Sequence, residues 1–217
     1  MKTKLFAVLA AGMLLFSLHS SGQTTYLDIV LNGVSTNFNY GSSNSVLKNY
    51  RKSVFGAQAG LSFQAGVTKN FSLVPELYFM MKGGKLSANN PVTNSETTIR
   101  LYTVELPLLA RVHFGKAYLN AGPSIAYDFG GNNKLENSSK AISFQNTGEG
   151  FKRFDAGIQV GAGYELPFKQ KRIALDIRYY YGVTNISYDR EIYNRSLIVS
   201  IRFSRAWKTN PLAKNKL

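Results

Sequence analysis

Eight charged residues stand where their side chains could share one interior space. Each falls on the polar side of a stretch that alternates polar and apolar residues, and the set is Glu76, Glu105, Arg111, Asp128, Asp155, Asp176, Arg178 and Arg202. Acids and bases gathered in a narrow, poorly hydrated tube could relay a proton or an ion, or they could pair and fill the tube as a structural plug. The plug is favoured, because side chains just fill the interior of a small eight-stranded barrel.

Few other residues in the sequence could act in catalysis. It has two histidines and no cysteine, which excludes a cysteine nucleophile and a thiolate metal site. His19 lies in a segment predicted to be removed, so His113 is the remaining candidate base for an activated serine. His113 stands beside a predicted short turn with no obvious serine partner, and we interpret it as structural. No cofactor or metal site is predicted, since one histidine and scattered acids lack ligand spacing.

Residues 1–22 have the pattern of a secretory signal peptide. Lys2 and Lys4 precede an apolar run over residues 5–16, and Ser20 and Gly22 are spaced like a cleavage site. The run is shorter than the roughly 20 apolar residues of a transmembrane helix. Cleavage after Gly22 would remove two lysines and no acid, and so lower the formal charge from +14 to +12. Export of the chain argues against a nucleic-acid partner despite its basic surplus.

The remaining chain alternates with a period of two, which indicates β-strands with unlike faces. Over residues 55–67 every odd position is apolar and every even position is Gly, Ser or Gln. The pattern is also clear in residues 117–129, 154–166 and 197–204. It is weaker in residues 26–34, 71–82, 100–114 and 172–184. The sequence therefore predicts eight strands, each with about ten residues in its spanning part.

The predicted connections alternate between short and long. Short turns are predicted at residues 68–70, 115–116 and 167–171, and long polar loops at residues 35–53, 83–98, 130–152 and 185–194. An even number of strands joined in this way is typical of an outer-membrane β-barrel. We therefore predict an all-β fold, an eight-stranded antiparallel up-and-down transmembrane β-barrel over residues 23–204. The sheet must close because hydrocarbon cannot satisfy an open edge.

A soluble eight-stranded barrel of the lipocalin kind is the alternative, and its apolar face would turn inward around a ligand cavity. Charges in mid-strand on the polar face, such as Glu105 and Asp176, argue for a polar lumen instead. Aromatic residues also gather near the strand ends, as in the interfacial girdles of membrane barrels. The girdle at the short turns would contain Phe71, Phe114, Tyr164 and Phe203, and the girdle at the loops Phe79, Tyr102, Phe129, Phe154 and Tyr181.

Basic residues collect near both predicted interfaces. Those at the loops are Lys48, Arg51, Lys52, Lys85, Lys134, Lys140, Lys152 and Arg153, and those at the short turns are Lys69, Lys116, Lys169, Lys171 and Arg172. A cation near an anionic membrane surface contributes on the order of 1 kcal/mol. We expect the short-turn set to anchor the barrel to phosphate headgroups, whereas headgroup contact and a merely solvated loop both stay open for the loop set. The expected partners of the barrel are the lipid bilayer and lipopolysaccharide, and its Tyr- and Asn-rich loops could bind a protein or glycan.

Several segments resemble the PorT-like outer-membrane barrel family of Bacteroidetes. They include Phe71-Ser-Leu-Val-Pro-Glu-Leu-Tyr-Phe, Tyr102-Thr-Val-Glu-Leu-Pro-Leu-Leu-Ala-Arg, Gly157-Ile-Gln-Val-Gly-Ala-Gly-Tyr-Glu-Leu-Pro and Asp176-Ile-Arg-Tyr-Tyr-Tyr-Gly-Val-Thr-Asn-Ile. The resemblance runs from about residue 27 to residue 203. It implies an eight-stranded barrel in the outer membrane and a family whose members mostly lack an assigned activity. PorT itself is associated with the secretion apparatus of these bacteria.

These observations predict a non-enzymatic outer-membrane barrel, a structural or interaction scaffold whose loops carry any specificity. Two alternatives are an accessory of protein secretion or envelope assembly, with envelope or secretion proteins as partners, and a lipid-modifying enzyme. The long loops are predicted to be extracellular, and the short turns and both termini periplasmic. Residues 205–217 form a basic tail with Arg205, Trp207, Lys208, Lys214 and Lys216, which is a periplasmic extension or a disordered end.

Overall fold

A computed structural model describes residues 25–136, 138–168 and 171–206. The predicted signal peptide, Lys169 of the short-turn basic set and residues 207–217 of the predicted tail lie outside the described residues. The elements, in chain order, are strand β1 (Tyr26–Tyr40), a 3₁₀ helix (Ser42–Tyr50), β2 (Arg51–Lys52), β3 (Val54–Thr68), β4 (Phe71–Leu86), β5 (Thr97–Phe114), β6 (Ala117–Leu135), β7 (Ser138–Ala141), β8 (Phe154–Phe168), β9 (Lys171–Gly182) and β10 (Ile192–Ala206). In this part of the chain, no helix is long and apolar enough to cross a membrane.

Eight of these strands close into an antiparallel up-and-down barrel, as predicted. Each long strand pairs with its neighbours along the chain, and β10 returns to β1 through a continuous register from Tyr26↔Ala206 to Tyr40↔Ile192. The short strands β2 and β7 lengthen the wall by pairing with β4 and β6 at the loop end. Closure removes the free sheet edges that would expose unpaired backbone groups to lipid.

Most of the eight barrel strands extend beyond their predicted bounds. These eight strands contain from 12 residues in β9 to 19 residues in β6. Apolar alternation marks only the portion of a strand with an apolar outer face, whereas the paired backbone continues beyond it with polar residues on both faces. The predicted register at the turn formed by Gly115 and Lys116 is confirmed, because Arg111 pairs with Asn120 and Glu105 pairs with Ala126.

The barrel is apolar outside and polar inside. Along β9 the residues at odd positions from Ile173 to Tyr181 are exposed, whereas those at even positions from Arg172 to Tyr180 are buried. Aromatic residues of both predicted girdles point outward, and Phe154 is 72 % exposed. A soluble barrel with an apolar cavity has the opposite arrangement. The soluble alternative is therefore wrong for this chain.

Candidate functional site

The structure places all eight predicted charged residues in the lumen, and none of them is more than 4 % exposed. They divide into two groups, which four charged residues outside the predicted set complete. The lower cluster, toward the short turns, contains Asp28, Glu76, Arg111, Glu165, Arg172, Asp176, Arg178 and Arg202. The upper cluster, toward the loops, contains Lys82, Glu105, Asp128 and Asp155.

The centre of the lower cluster is a ring of two arginines and two carboxylates. Arg202 donates from Nε to Asp176 at 2.7 Å and from a terminal nitrogen to Glu76 at 2.7 Å. Arg178 donates to the same two acids, at 2.6 Å to Glu76 and at 3.2 Å to Asp176. These residues come from β4, β9 and β10, so the ring joins opposite walls. Charge-assisted hydrogen bonds of this kind are stronger than neutral ones.

Arg172 corrects one prediction. The sequence suggests that it anchors the short-turn end to headgroups, but its side chain enters the lumen and is 3 % exposed. It donates to Glu165 at 2.6 Å and to the Gln64 side-chain oxygen at 2.7 Å, and it forms a longer ion pair with Asp28 at 3.4 Å. The reason is its even position in β9, which places it on the same face as Asp176.

The upper cluster sets three carboxylates against one ammonium group. Lys82 Nζ lies 2.8 Å from Asp155 and 3.8 Å from Asp128. Neutral donors satisfy the remaining acid: Glu105 accepts hydrogen bonds from Gln58 at 3.0 Å, Ser124 at 2.6 Å and Gln159 at 2.9 Å. Such a buried network is stable only while each member keeps its partners.

His113 has a serine neighbour that the sequence analysis missed. Its Nε2 atom lies 3.1 Å from the hydroxyl oxygen of Ser72 on the adjacent strand β4. The expectation that no serine lies beside His113 is therefore wrong, because the contact depends on β4–β5 pairing rather than on sequence distance. Ser72 is 3 % exposed and faces the lumen, away from lipid acyl chains. In the described chain, no group of three or more acidic or histidine side chains could hold a metal ion.

The long loops form a packed cap over the lumen. Its buried apolar residues are Phe38, Tyr40, Leu47, Leu86, Leu101, Phe151, Ile186 and Ile192, supplied by strand extensions and three of the four loops. Burial here raises the pKa of the Tyr40 hydroxyl to about 12, against the opposing effect of Arg190. The sequence pattern predicts that these loops are polar and does not predict the cap. Isolated apolar residues inside them, such as Leu47 and Ile186, are the signal that could have indicated it.

Comparison with known sequences decides the family. The sequence model of a family described as "Outer membrane protein beta-barrel domain" matches residues 23–188. The chain belongs to the outer-membrane β-barrel domain family. No curated protein matches the sequence.

Solved structures similar to this outer-membrane barrel have low sequence identity to it. OprG of Pseudomonas aeruginosa matches with a TM-score of 0.49 at 9% identity, covering 89% of this chain and 99% of that chain. Ail of Yersinia pestis gives 0.44 at 7% identity, with 84% and 99% covered. Neisserial surface protein A gives 0.44 at 14% identity, with 82% and 95% covered.

A glycine pair on opposite faces of the outer-membrane barrel tests how tightly its lumen is packed. A side chain at Gly163 would overlap the Tyr118 ring, whereas one at Gly33 on the outer face would meet no atom within 4 Å. We expect Gly163→Val to lower the free energy of unfolding by about 1–3 kcal/mol, as overpacking does. Gly33→Val is the matched control and should change it by less than about 0.5 kcal/mol. Urea titration in detergent micelles measures both, and equal effects would contradict a tightly packed lumen.

Proposed function

We propose that this protein is a non-enzymatic integral membrane barrel that holds an interaction surface outside the outer membrane. One observation carries the proposal: buried, paired side chains fill the lumen, and an apolar cap lies above them. The barrel is then an anchor rather than a passage. In this orientation the cap faces outward, and the short turns and both termini face the periplasm.

The cap offers a preformed recognition surface. A cavity of about 220 Å³ lies between the loops, with apolar residues such as Ile99 and Phe151 in its walls. Charged residues of both signs surround it, namely Lys140, Glu149, Asp189 and Arg190. A surface held in place by a packed core loses less conformational entropy on binding than a flexible loop does. Such a surface suits a protein or glycan partner.

The first test of this function is whether the barrel conducts ions. The purified full-length protein should show a heat-modifiable gel mobility, as a folded membrane barrel does, and no stable conductance steps in planar bilayers. A fully soluble protein without a mobility shift would refute the membrane anchor. A stable conductance that Glu105→Lys abolishes would show instead that the upper lumen conducts ions.

The second candidate is an accessory role in protein secretion or envelope assembly. The resemblance of residues 71–79 and 176–186 to the PorT-like family supports it. Affinity purification from cross-linked cells should then recover a secretion component, and Arg190→Glu in the cap should reduce that recovery. Lys116→Glu at the opposite end of the barrel is the control. A lipid-modifying role has weaker support, because Ser72 and His113 face the lumen rather than the lipid.

A further inference from the structure

A row of basic side chains crosses the outer wall at the loop end. Strand pairing sets Lys52 opposite Lys85, Lys85 opposite Thr98, Thr98 opposite Lys134 and Lys134 opposite Ser139. Directly paired residues point to the same face of a sheet, so these five form one line across β2, β4, β5, β6 and β7. We call this line the cationic row. Arg100 lies on the same face, one outward position closer to the membrane.

The cationic row lies above the aromatic girdle at the loop end. Tyr102, which stacks on Phe129 at 6.4 Å, marks the level of the girdle on this wall. Arg100 and Thr98 precede Tyr102 on the same face, two and four residues closer to the loop end of β5. With a rise of about 3.3 Å per residue and a strand tilt of about 40°, they lie roughly 5 Å and 10 Å above Tyr102. A headgroup layer of about 5–8 Å in a bilayer includes the height of Arg100, and the cationic row lies just outside that layer.

The charges of this region are not balanced within the described chain. Lys85 pairs with Glu96 at 2.6 Å, and Glu136 accepts a hydrogen bond from Ser95. In the described ranges, no ion pair engages Lys52, Arg100 or Lys134. Like charges directly opposite each other in a sheet, as Lys52 and Lys85 are, repel and destabilise the pairing. The arrangement is therefore suited to a bound anion.

Glu96 is an acidic residue that lies among the lysines of the cationic row. A hydrogen bond from Lys85 holds the pKa of Glu96 below its usual range, with further attraction from Lys85, Lys52 and Lys134. Glu96 and Glu136 line a groove of about 510 Å³ together with Lys85, Arg100, Tyr102 and Lys134. The groove has room for more than one phosphate group.

We infer that this groove binds the phosphorylated sugar headgroup of an outer-leaflet glycolipid. Arg100 and Lys134 are the phosphate ligands, since guanidinium and ammonium groups both form charge-assisted hydrogen bonds to phosphate oxygens. Thr98, Asn132 and Ser139 supply hydroxyl and amide partners for sugar hydroxyls. Tyr102 lies at the lipid side, where the acyl chains begin. The inference rests on the proposed outward orientation of the loop end, because such glycolipids occupy the outer leaflet.

A pair of double variants tests the site. Arg100→Ala with Lys134→Ala removes two cations from the groove, and Lys116→Ala with Lys171→Ala removes two exposed cations from the short-turn end. Binding of purified lipopolysaccharide to the full-length, detergent-folded protein gives the apparent Kd. At about 1 kcal/mol per cation, the groove variant should bind about 30-fold more weakly, and the control variant within about twofold of the parent. An equal loss in both variants would mean general charge attraction and would overturn the site.

Two competitors identify the source of the phosphate. Dephosphorylated lipopolysaccharide should bind the parent protein as weakly as the intact lipid binds the groove variant. Inorganic phosphate and phosphatidylglycerol vesicles, at equal phosphate concentration, should compete poorly. Strong competition by either one would assign the groove to free phosphate or to any anionic surface, and would refute the glycolipid inference.

The scaffold proposal and the glycolipid site can be refuted independently of each other. Heat-modifiable mobility and the absence of conductance are measured on the same variants without added lipopolysaccharide, and both should match the parent protein. If the barrel conducts ions while the groove keeps its selectivity, the scaffold proposal fails and the glycolipid site stands.

Discussion

Replacement of Arg202 by methionine should lower the free energy of unfolding by about 3–5 kcal/mol. Arg202 is fully buried, donates to Asp176, Glu76 and the Ser62 hydroxyl, and forms a longer ion pair with Asp28 at 3.7 Å. Methionine fills much of the same space but leaves two carboxylates facing the single guanidinium of Arg178. Buried charge without full compensation is among the most destabilising changes in a protein. Urea titration in detergent micelles, followed by gel mobility without heating, measures the loss.

Two further variants show whether charge is the cause. Arg100→Met removes an arginine from the exposed outer wall and, without lipopolysaccharide, should change stability by less than about 0.5 kcal/mol. The double variant Arg202→Met with Glu76→Gln restores the balance of one arginine to one acid in the ring. It should be more stable than Arg202→Met alone by at least about 1 kcal/mol, because coupled residues are not additive. A double variant as unstable as the sum of both changes would refute the ring as a coupled unit.

The sequence pattern predicts which residues face the lumen better than it predicts their partners. Period two in β9 and β10 is sufficient to place Asp176, Arg178 and Arg202 on the polar face. It cannot predict that Arg202 meets Glu76, 126 positions away, because that contact depends on how far the closed sheet shears. Register at a two-residue turn is local, and for that reason the pairing of Arg111 with Asn120 was predictable.

Three of the four lumen residues outside the predicted set, Asp28, Lys82 and Arg172, were left out of it for local reasons. Asp28 lies in the first strand, where alternation is weakest, and Lys82 lies where apolar alternation ends although the strand continues to Leu86. Arg172 follows a short turn, so its basic character suggested a headgroup contact. The cationic row was not predicted for a different reason, because its residues lie in regions predicted to be loops that the structure shows to be paired strands.

Lys82→Met is the second change with a large expected effect. Lys82 is the ammonium group that faces Asp155, Asp128 and Glu105, and it is 3 % exposed. Without it three acids share a buried layer of the lumen with no cation among them. We expect a loss of about 3–5 kcal/mol in the free energy of unfolding, measured by urea titration as for the ring. Lys116→Met, in the exposed turn, is the control and should have an effect below about 0.5 kcal/mol.

A second substitution distinguishes charge from packing in the upper cluster. Asp155→Asn in the Lys82→Met background removes one of the uncompensated acids and retains an amide oxygen that can accept from either Thr184 or Asn194. This double variant should recover at least about 1 kcal/mol over Lys82→Met, because the pair is coupled. Asp155→Asn in the parent protein should instead destabilise it, since Lys82 then loses its partner at 2.8 Å. If Asp155→Asn destabilised both backgrounds equally, then Lys82 and Asp155 would be uncoupled, and the upper lumen would owe its stability to neutral hydrogen bonds and shape alone.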